Sequence, residues 1–342
     1  MTKVTQRTLI PGWKPKPKPP PKKRPPRDWG NYNAYQVHEK LAAMTLLYEI
    51  IQCLIIGDEW CGNGRPPYGM RDALFCSVVK VWNGDSSRRT ISDLMIAKSM
   101  GYITAVPHFN TITNYMRTTE FTEYIEEIYR IIAYQFKDKE IYFAVDSTGF
   151  GKHNTQWLTA RKNRNERKSA NKLHVVMGVM TGVIAYAKVT AGTEHDSTHL
   201  PHMLRETCRF FRPQEVYGDS GYLSFSNVNA VRAIGAMPFF KPKKNTKLHD
   251  IRRWWIDGAA WDEMVTFFRE DEPGFRRHYG RRNGVEGMFS SMKAKYLRFI
   301  RGKTSKSQEN EVFTKVVCHN LSMLVRATFQ LGLRVDFKNM PR

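Results

Sequence analysis

Cysteine is scarce and disorganised in this chain of 342 residues: Cys53, Cys61, Cys76, Cys208 and Cys318 are odd in number and include no C-x-x-C pair. That excludes a disulfide framework and a cysteine zinc site, and it fits a reducing cytoplasm. No apolar run reaches membrane-spanning length, and the N-terminus has no apolar signal-peptide core, so neither insertion nor export is expected. Acids are also in short supply. With 32 Asp plus Glu against 54 Lys plus Arg, the formal charge is +22 and the pI about 9.8, a balance that favours a polyanion such as nucleic acid as partner.

What is present divides into tracts. Residues 1–27 hold nine Lys or Arg, no acid and eight of the 17 prolines, which cannot build a core and favour an extended, charge-displaying arm. The reading is a basic tail over 1–30, either phosphate-binding or merely solubilising, followed by a helical region over 31–137. There Val37, Leu41, Met44, Leu47, Ile51 and Leu54 recur at helical steps, and Met70 to Trp82 has a similar amphipathic pattern. ISDLMIAKSMG and FNTITNYMRT read as two short helices on the scale of a helix-turn-helix unit. The second, with Asn110, Thr113, Asn114 and Arg117, is a candidate DNA-facing helix, the alternative being an ordinary helical connection.

From 138 to 330 the pattern changes. A β-like run at Ile141 to Val145 precedes KLHVVMGVM and VIAYAKVTA, which meet at Thr181-Gly182 as consecutive antiparallel strands. A helix through Leu200 to Phe211, a strand EVYG, a helix capped by Ser226 and stopped by Gly235, and a strand MPFF follow. Strands first consecutive and then alternating with helices predict an α/β fold with a mixed, helix-covered sheet, in the order of a ribonuclease-H-like domain. Residues 241–275 look like an insertion, and 331–342 like a C-terminal tail.

Three acids stand out: Asp146 and Asp219, each ending an apolar β-like run, and Glu286 in a helical one. Far apart in sequence, they can converge as hard oxygen ligands for Mg²⁺. Around Glu286, Tyr279, Arg282 and Lys293 leave gaps of two, three and six residues. At about 100° per residue these four side chains share a sector of about 60° on one helix face, with a separate apolar stripe of Val285, Met288, Met292 and Tyr296. Substitutions on such an open face are expected to leave stability nearly intact. The cluster His195, Asp196, His199 and His202 lacks a zinc-site spacing and is not read as one.

The Y-(2)-R-(3)-E-(6)-K spacing and the order Asp, Asp, Glu resemble the DDE transposases of the insertion-sequence-4 type over about residues 140 to 330. The resemblance implies a nucleoid-associated enzyme that binds double-stranded DNA, cuts element ends and joins them to target DNA as a homodimer or higher oligomer. It implies Asp146, Asp219 and Glu286 as catalytic metal ligands for Mg²⁺, with Mn²⁺ able to substitute. Asp146 would bridge two ions while Asp219 and Glu286 each complete one shell. Arg282 and Lys293 would clamp phosphates and Tyr279 would touch the DNA. A His-Asp-Ser string between the first two acids is common in that family, which makes Asp196 a helix-start or supporting residue. Further DNA contacts are expected from the basic loop with Arg161, Lys162 and Arg164, and from Lys243 and Lys244. Trp254, Trp255 and Trp261 are candidates for base stacking or for packing a small subdomain. The alternatives are a ribonuclease-H-like nuclease that does not join ends, and a domesticated DNA-binding regulator.

Deleting residues 1–27 is expected to weaken binding to all DNA sequences alike. The log-log salt slope should become shallower by about 0.9 for each phosphate that the arm neutralises in the intact chain. Fluorescence anisotropy across a salt series checks this; loss of end-versus-random discrimination at unchanged nonspecific affinity would make the tail a sequence reader.

Overall fold

The computed structural model describes residues 28–57, 63–64, 66–152, 171–243, 246–248 and 258–338. Residues 1–27 of the tail, the loop with Arg161, Lys162 and Arg164, and Lys244, Trp254 and Trp255 lie outside the described residues, while 28–30 already belong to the first helix and its cap. Five helices come first: α1 (Trp29–Cys53), α2 (Met70–Asn83), α3 (Thr90–Ser99), α4 (Phe109–Tyr115) and α5 (Thr119–Tyr134). Local chemistry sets their ends. Asp28 caps α1 by accepting from the Asn31 amide at 3.1 Å, Thr118 caps α5, and Gly84 stops α2 in the left-handed region at φ 68°.

Two expectations for this region need correction. α2 is not amphipathic: Ala73 through Val81 are all buried, so it is the central helix, wrapped by its neighbours. On α1, Leu47 and Ile51 are buried as expected, but Val37 is 77% and Leu41 50% exposed. The buried face there runs through Tyr35, Ala43 and Ile50 instead.

The sheet follows. β1 (Tyr142–Lys152), β2 (Asn171–Gly178) and β3 (Ile184–Ala191) form an antiparallel meander. Helix α6 (Leu200–Thr207) leads to β4 (Glu215–Gly218), and α7 (Phe225–Ala233) leads to β5 (Met237–Phe240). β1, β4 and β5 are parallel, giving the order β3-β2-β1-β4-β5. This is the mixed, helix-flanked sheet of a ribonuclease-H-like α/β fold. Helix α7 is capped by Ser224, whose hydroxyl accepts from the Asn227 amide at 3.2 Å, and not by Ser226. The helix starts two residues early because the extended backbone of Ser224 turns its oxygen onto the first free amides.

Past the sheet come α8 (Ala259–Glu270), α9 (Glu272–Tyr279), a 3₁₀ turn at Gly280–Arg282, α10 (Asn283–Lys295), the short β6 (Phe299–Ile300) pairing with the far end of β1, and α11 (Ser305–Leu331). Helix α11 packs against α1, α2, α5 and β3, and carries many buried polar residues that bond to backbone groups. Asn310 donates to the carbonyls of Met116 at 3.0 Å and Thr118 at 3.1 Å; Asn320 accepts from the Ile184 amide and donates to its carbonyl, each at 2.9 Å. Lys315 donates to the carbonyls of Tyr296, Leu297 and Phe299 at 2.8 to 2.9 Å. One apolar cluster runs from Leu47, Phe75 and Ile128 through Val145 and Val176 to Val317, so the core is continuous across residue 137.

Gly218 marks how closely β4 is packed: a Cβ there would stand 2.7 Å from the Phe240 ring and 3.0 Å from Cγ2 of Val145. Gly218→Ala is expected to destabilise the protein by about 1–3 kcal/mol through overpacking, read as a lower denaturant midpoint at unchanged slope.

Candidate active site

Register brings the two aspartates together. β1 and β4 pair as Tyr142 with Glu215 and Ala144 with Tyr217; two residues further along each chain stand Asp146 and Asp219. They sit level at the carboxyl end of a parallel pair, where α/β sheets place their sites. β1 runs on past Asp146 to Lys152, so that aspartate lies within the strand, whereas Asp219 lies in the turn after β4. Its Oδ1 accepts from the Gly221 amide at 2.8 Å, and Oδ1 of Asp146 from the Ser147 amide at 2.8 Å.

Glu286 arrives on α10, and the segment before it is not one continuous helix. Tyr279 ends α9, Arg282 lies in the 3₁₀ turn, and only Glu286 and Lys293 are on α10. Gly280, a poor helix former, opens the break. The two arginines of the turn diverge. Arg281 donates to Oε2 of Glu215 at 3.1 Å, where Nδ1 of His278 also stands at 2.9 Å, and its guanidinium lies 4.3 Å over the Tyr142 ring. Arg282 points into the acids, donating from Nη2 to Oδ2 of Asp146 at 2.8 Å and from Nη1 to Oε1 of Glu286 at 3.0 Å. Asp146 and Glu286, 140 positions apart (286 minus 146), are thus joined by one guanidinium.

The expectation of an open polar face is therefore only half met. Val285, Met288, Met292 and Tyr296 are buried, as the stripe implied, and Glu286 is 67% exposed. Arg282, however, is itself buried, because it turns inward to Asp146. Lys293 donates to Oγ1 of Thr148 at 2.6 Å and to the Gly149 carbonyl at 2.8 Å, binding α10 to β1, and burial pulls its ammonium down to about 8. Tyr279 is half-buried and stacked on Phe275 at 6.2 Å.

The structure adds three residues that the spacing of motifs did not assign to the site. Asp196 forms an ion pair with Nζ of Lys172 at 2.6 Å, and Nδ1 of His174 stands 3.2 Å from the same oxygen. Burial opposes its charge, yet hydrogen bonds from His174, Lys172 and Ser147 hold it well below the ordinary carboxylate range. It starts a 3₁₀ turn without capping it, so support rather than capping is its part. The buried phenol of Tyr222 is pushed well up by burial and by Asp196, Asp146 and Asp219, all close enough to act on it. Tyr222 lies three residues after Asp219, and the His-Asp-Ser string contains Asp196, so both had a sequence signal. Lys172 had none.

Among the described residues no group of three His, Cys, Asp or Glu is gathered closely enough to hold a metal ion. Arg282 stands between two of the three acids instead. The donor set nonetheless fits a hard divalent cation: carboxylate oxygens only, with a positive group already accommodated between Asp146 and Glu286. The histidines nearby are otherwise engaged. His199 pairs with Glu194 at 2.8 Å and His202 with the Tyr186 hydroxyl at 3.0 Å.

Of the outlying candidates, Asn110, Asn114 and Arg117 are exposed at α4, while Thr113 lies 3.3 Å from the Ser87 hydroxyl. Lys243 is exposed. Trp261 is buried, stacked on Phe225 at 4.2 Å, with its indole N–H donating to the Lys247 carbonyl at 2.9 Å. That overturns base stacking for Trp261: its ring packs α8 against α7.

At the carboxyl end of the parallel β1–β4 pairing, two aspartates thus face a turn and helix that bring an arginine and a glutamate. A family model described as Transposase DDE domain matches residues 137–321, and the chain belongs to that family. No curated protein matches it. Membership makes DNA the implied partner and a divalent metal the implied cofactor class. Among the described residues no helix is long and apolar enough to cross a membrane.

Burial pushes Asp146 up from an ordinary 3.8 to about 6, with Arg282 and the Ser147 amide opposing and Asp219 and Asp196 reinforcing. A carboxyl raised on folding contributes stability that is complete below the unfolded value and lost as pH rises through about 6. Asparagine does not titrate. The melting temperature of Asp146→Asn relative to the natural protein is therefore expected to climb between pH 4.5 and pH 8, measured by calorimetry at both; a constant difference would contradict the buried, strained carboxylate.

Proposed function

We propose that the chain is a DNA transposase of the insertion-sequence-4 type that binds the terminal inverted repeats of its element, cleaves at the ends and joins the 3′-hydroxyls to target DNA. The observation that carries this reading is the Asp146–Arg282–Glu286 bridge, which ties the first and last acids of the spacing motif to one point beside Asp219. Two Mg²⁺ ions, with Mn²⁺ as substitute, would supply Lewis acidity for in-line attack at a phosphodiester when held by Asp146, Asp219 and Glu286.

The protein's own groups divide the remaining work. Glu286 offers its carboxylate to the cleft, being the more open of the two acids in the bridge. Arg282 is the fork that grips a phosphate near the scissile bond, and Tyr279 beside it lies against the DNA backbone. Lys293 acts from behind the site: by holding Thr148 and Gly149 it sets the strand that carries Asp146. Asp196 and Lys172 brace the same strand region through His174, which is paired in register with Ser147. The exposed side chains of α4, with Lys243 and the basic arm, supply DNA contacts away from the chemistry. A homodimer or larger assembly holds two ends together.

Asp146→Asn, Asp219→Asn and Glu286→Gln each keep shape and remove one charge. Each single change is expected to lower Mg²⁺-dependent cleavage and joining of a labelled element end by about 10³-fold or more, with double changes scarcely worse. Gel-shift affinity should persist. Cleavage without joining by the natural protein would identify a nuclease, binding without cleavage a regulator; robust cleavage by any single variant would remove that acid from the site.

A further inference from the structure

Arg282 holds a position that its phosphate-gripping role does not require. Its guanidinium spans Asp146 and Glu286 at 2.8 and 3.0 Å, using both terminal nitrogens, and its single positive charge is shared between two of the three carboxylates of the proposed site. A cation and a guanidinium cannot share those oxygens at bonding distance. The pose is also incomplete: the side chain is only 10% exposed, and its Nε is buried without a hydrogen-bond partner. A buried donor left unanswered is costly, whereas a phosphate can take an arginine fork through two parallel N–H groups.

The backbone beneath Arg282 is fixed independently. Arg281 is bonded to Glu215 and to the Tyr217 hydroxyl at 3.1 Å each, and α10 is tied to β1 by Lys293. Only the Arg282 side chain needs to move, with Glu286 on the open side of the bridge as its hinge partner four residues along.

Building on the transposase reading, we propose that Arg282 is an internal counter-cation that clamps Asp146 to Glu286 in the DNA-free chain and releases them to a divalent cation when a DNA phosphate captures the guanidinium. Metal and DNA then bind cooperatively, because each favours the same outward position of Arg282, and the coupling must be reciprocal. An enzyme so built is not loaded for hydrolysis until substrate is present.

Mn²⁺ binding to the full-length protein, followed by the electron paramagnetic resonance signal of the free ion, tests this without any catalytic readout. In the absence of DNA, Arg282→Gln is expected to bind Mn²⁺ about tenfold more tightly than the natural protein, while Asp146→Asn binds it more weakly. Adding a short DNA duplex should tighten Mn²⁺ binding by the natural protein, and by much less in Arg282→Gln. Unchanged or weaker binding by Arg282→Gln, alongside weakened binding by Asp146→Asn, would overturn the clamp and leave the metal-site reading standing. No effect of Asp146→Asn would overturn that reading itself. Circular dichroism establishes that the variants fold; were Arg282→Gln not to fold, absence of any DNA-induced tightening in the natural protein would be sufficient to overturn the clamp.

Discussion

A helix lined with polar side chains can cross an apolar core only if most of their polar groups find partners, and that requirement organises this protein, with Oδ1 of Asn310 a buried exception. Helix α11 sends Asn310 to the end of the helical region, His319 to the Gly182 carbonyl in the β2–β3 turn, Asn320 to the outer strand β3 and Lys315 to the loop behind α10. Glu311 receives the amides of Arg301 and Gly302 at 2.9 to 3.1 Å. Each of these bonds ends on a backbone group. Burial lowers Lys315 to about 8, and the three carbonyls it serves pin Leu297, which takes a left-handed φ of 69°. The site rests on that scaffold, because the same loop ends the helix that delivers Glu286.

Within the site the governing tension is electrostatic. A chain of net charge +22 gathers Asp146, Asp219, Asp196 and Glu286 around one strand end, and their environments separate them. Burial drives Asp146 up, whereas the hydrogen bonds of His174 and Lys172 hold Asp196 down. Arginine and lysine serve here as internal counter-charges as much as surface charges. That is why a face that looks solvent-exposed on a helical projection turns out to be partly interior.

The spacing of Tyr279, Arg282, Glu286 and Lys293 was readable because period is a property of sequence, and the pairing of Asp146 with Asp219 because both end apolar runs of parallel strands. Direction was not readable. Nothing in the period says that Arg282 folds back onto Asp146, or that Lys293 reaches across to Thr148, since these partners stand 136 and 145 positions apart. The same limit hid the all-round burial of α2, whose helical neighbours come from distant stretches, and the packing of Trp261 on Phe225. The fold class followed from strand and helix order alone. The continuity of the core did not, because α11 reads as an ordinary mixed helix until its partners are known.

Asn310 and Asn320, ten residues apart on one helix, bond to Met116 and Thr118 on one side and to Ile184 on the other. The helical region and the sheet are therefore packed as one unit. A recombination crossover near residue 137 would strip the cover from Phe121, Ile125 and Ile128, all fully buried, and leave both halves unable to close a core. The positions of the helical region that can change without touching that core are open ones such as Asn110, Asn114 and Arg117.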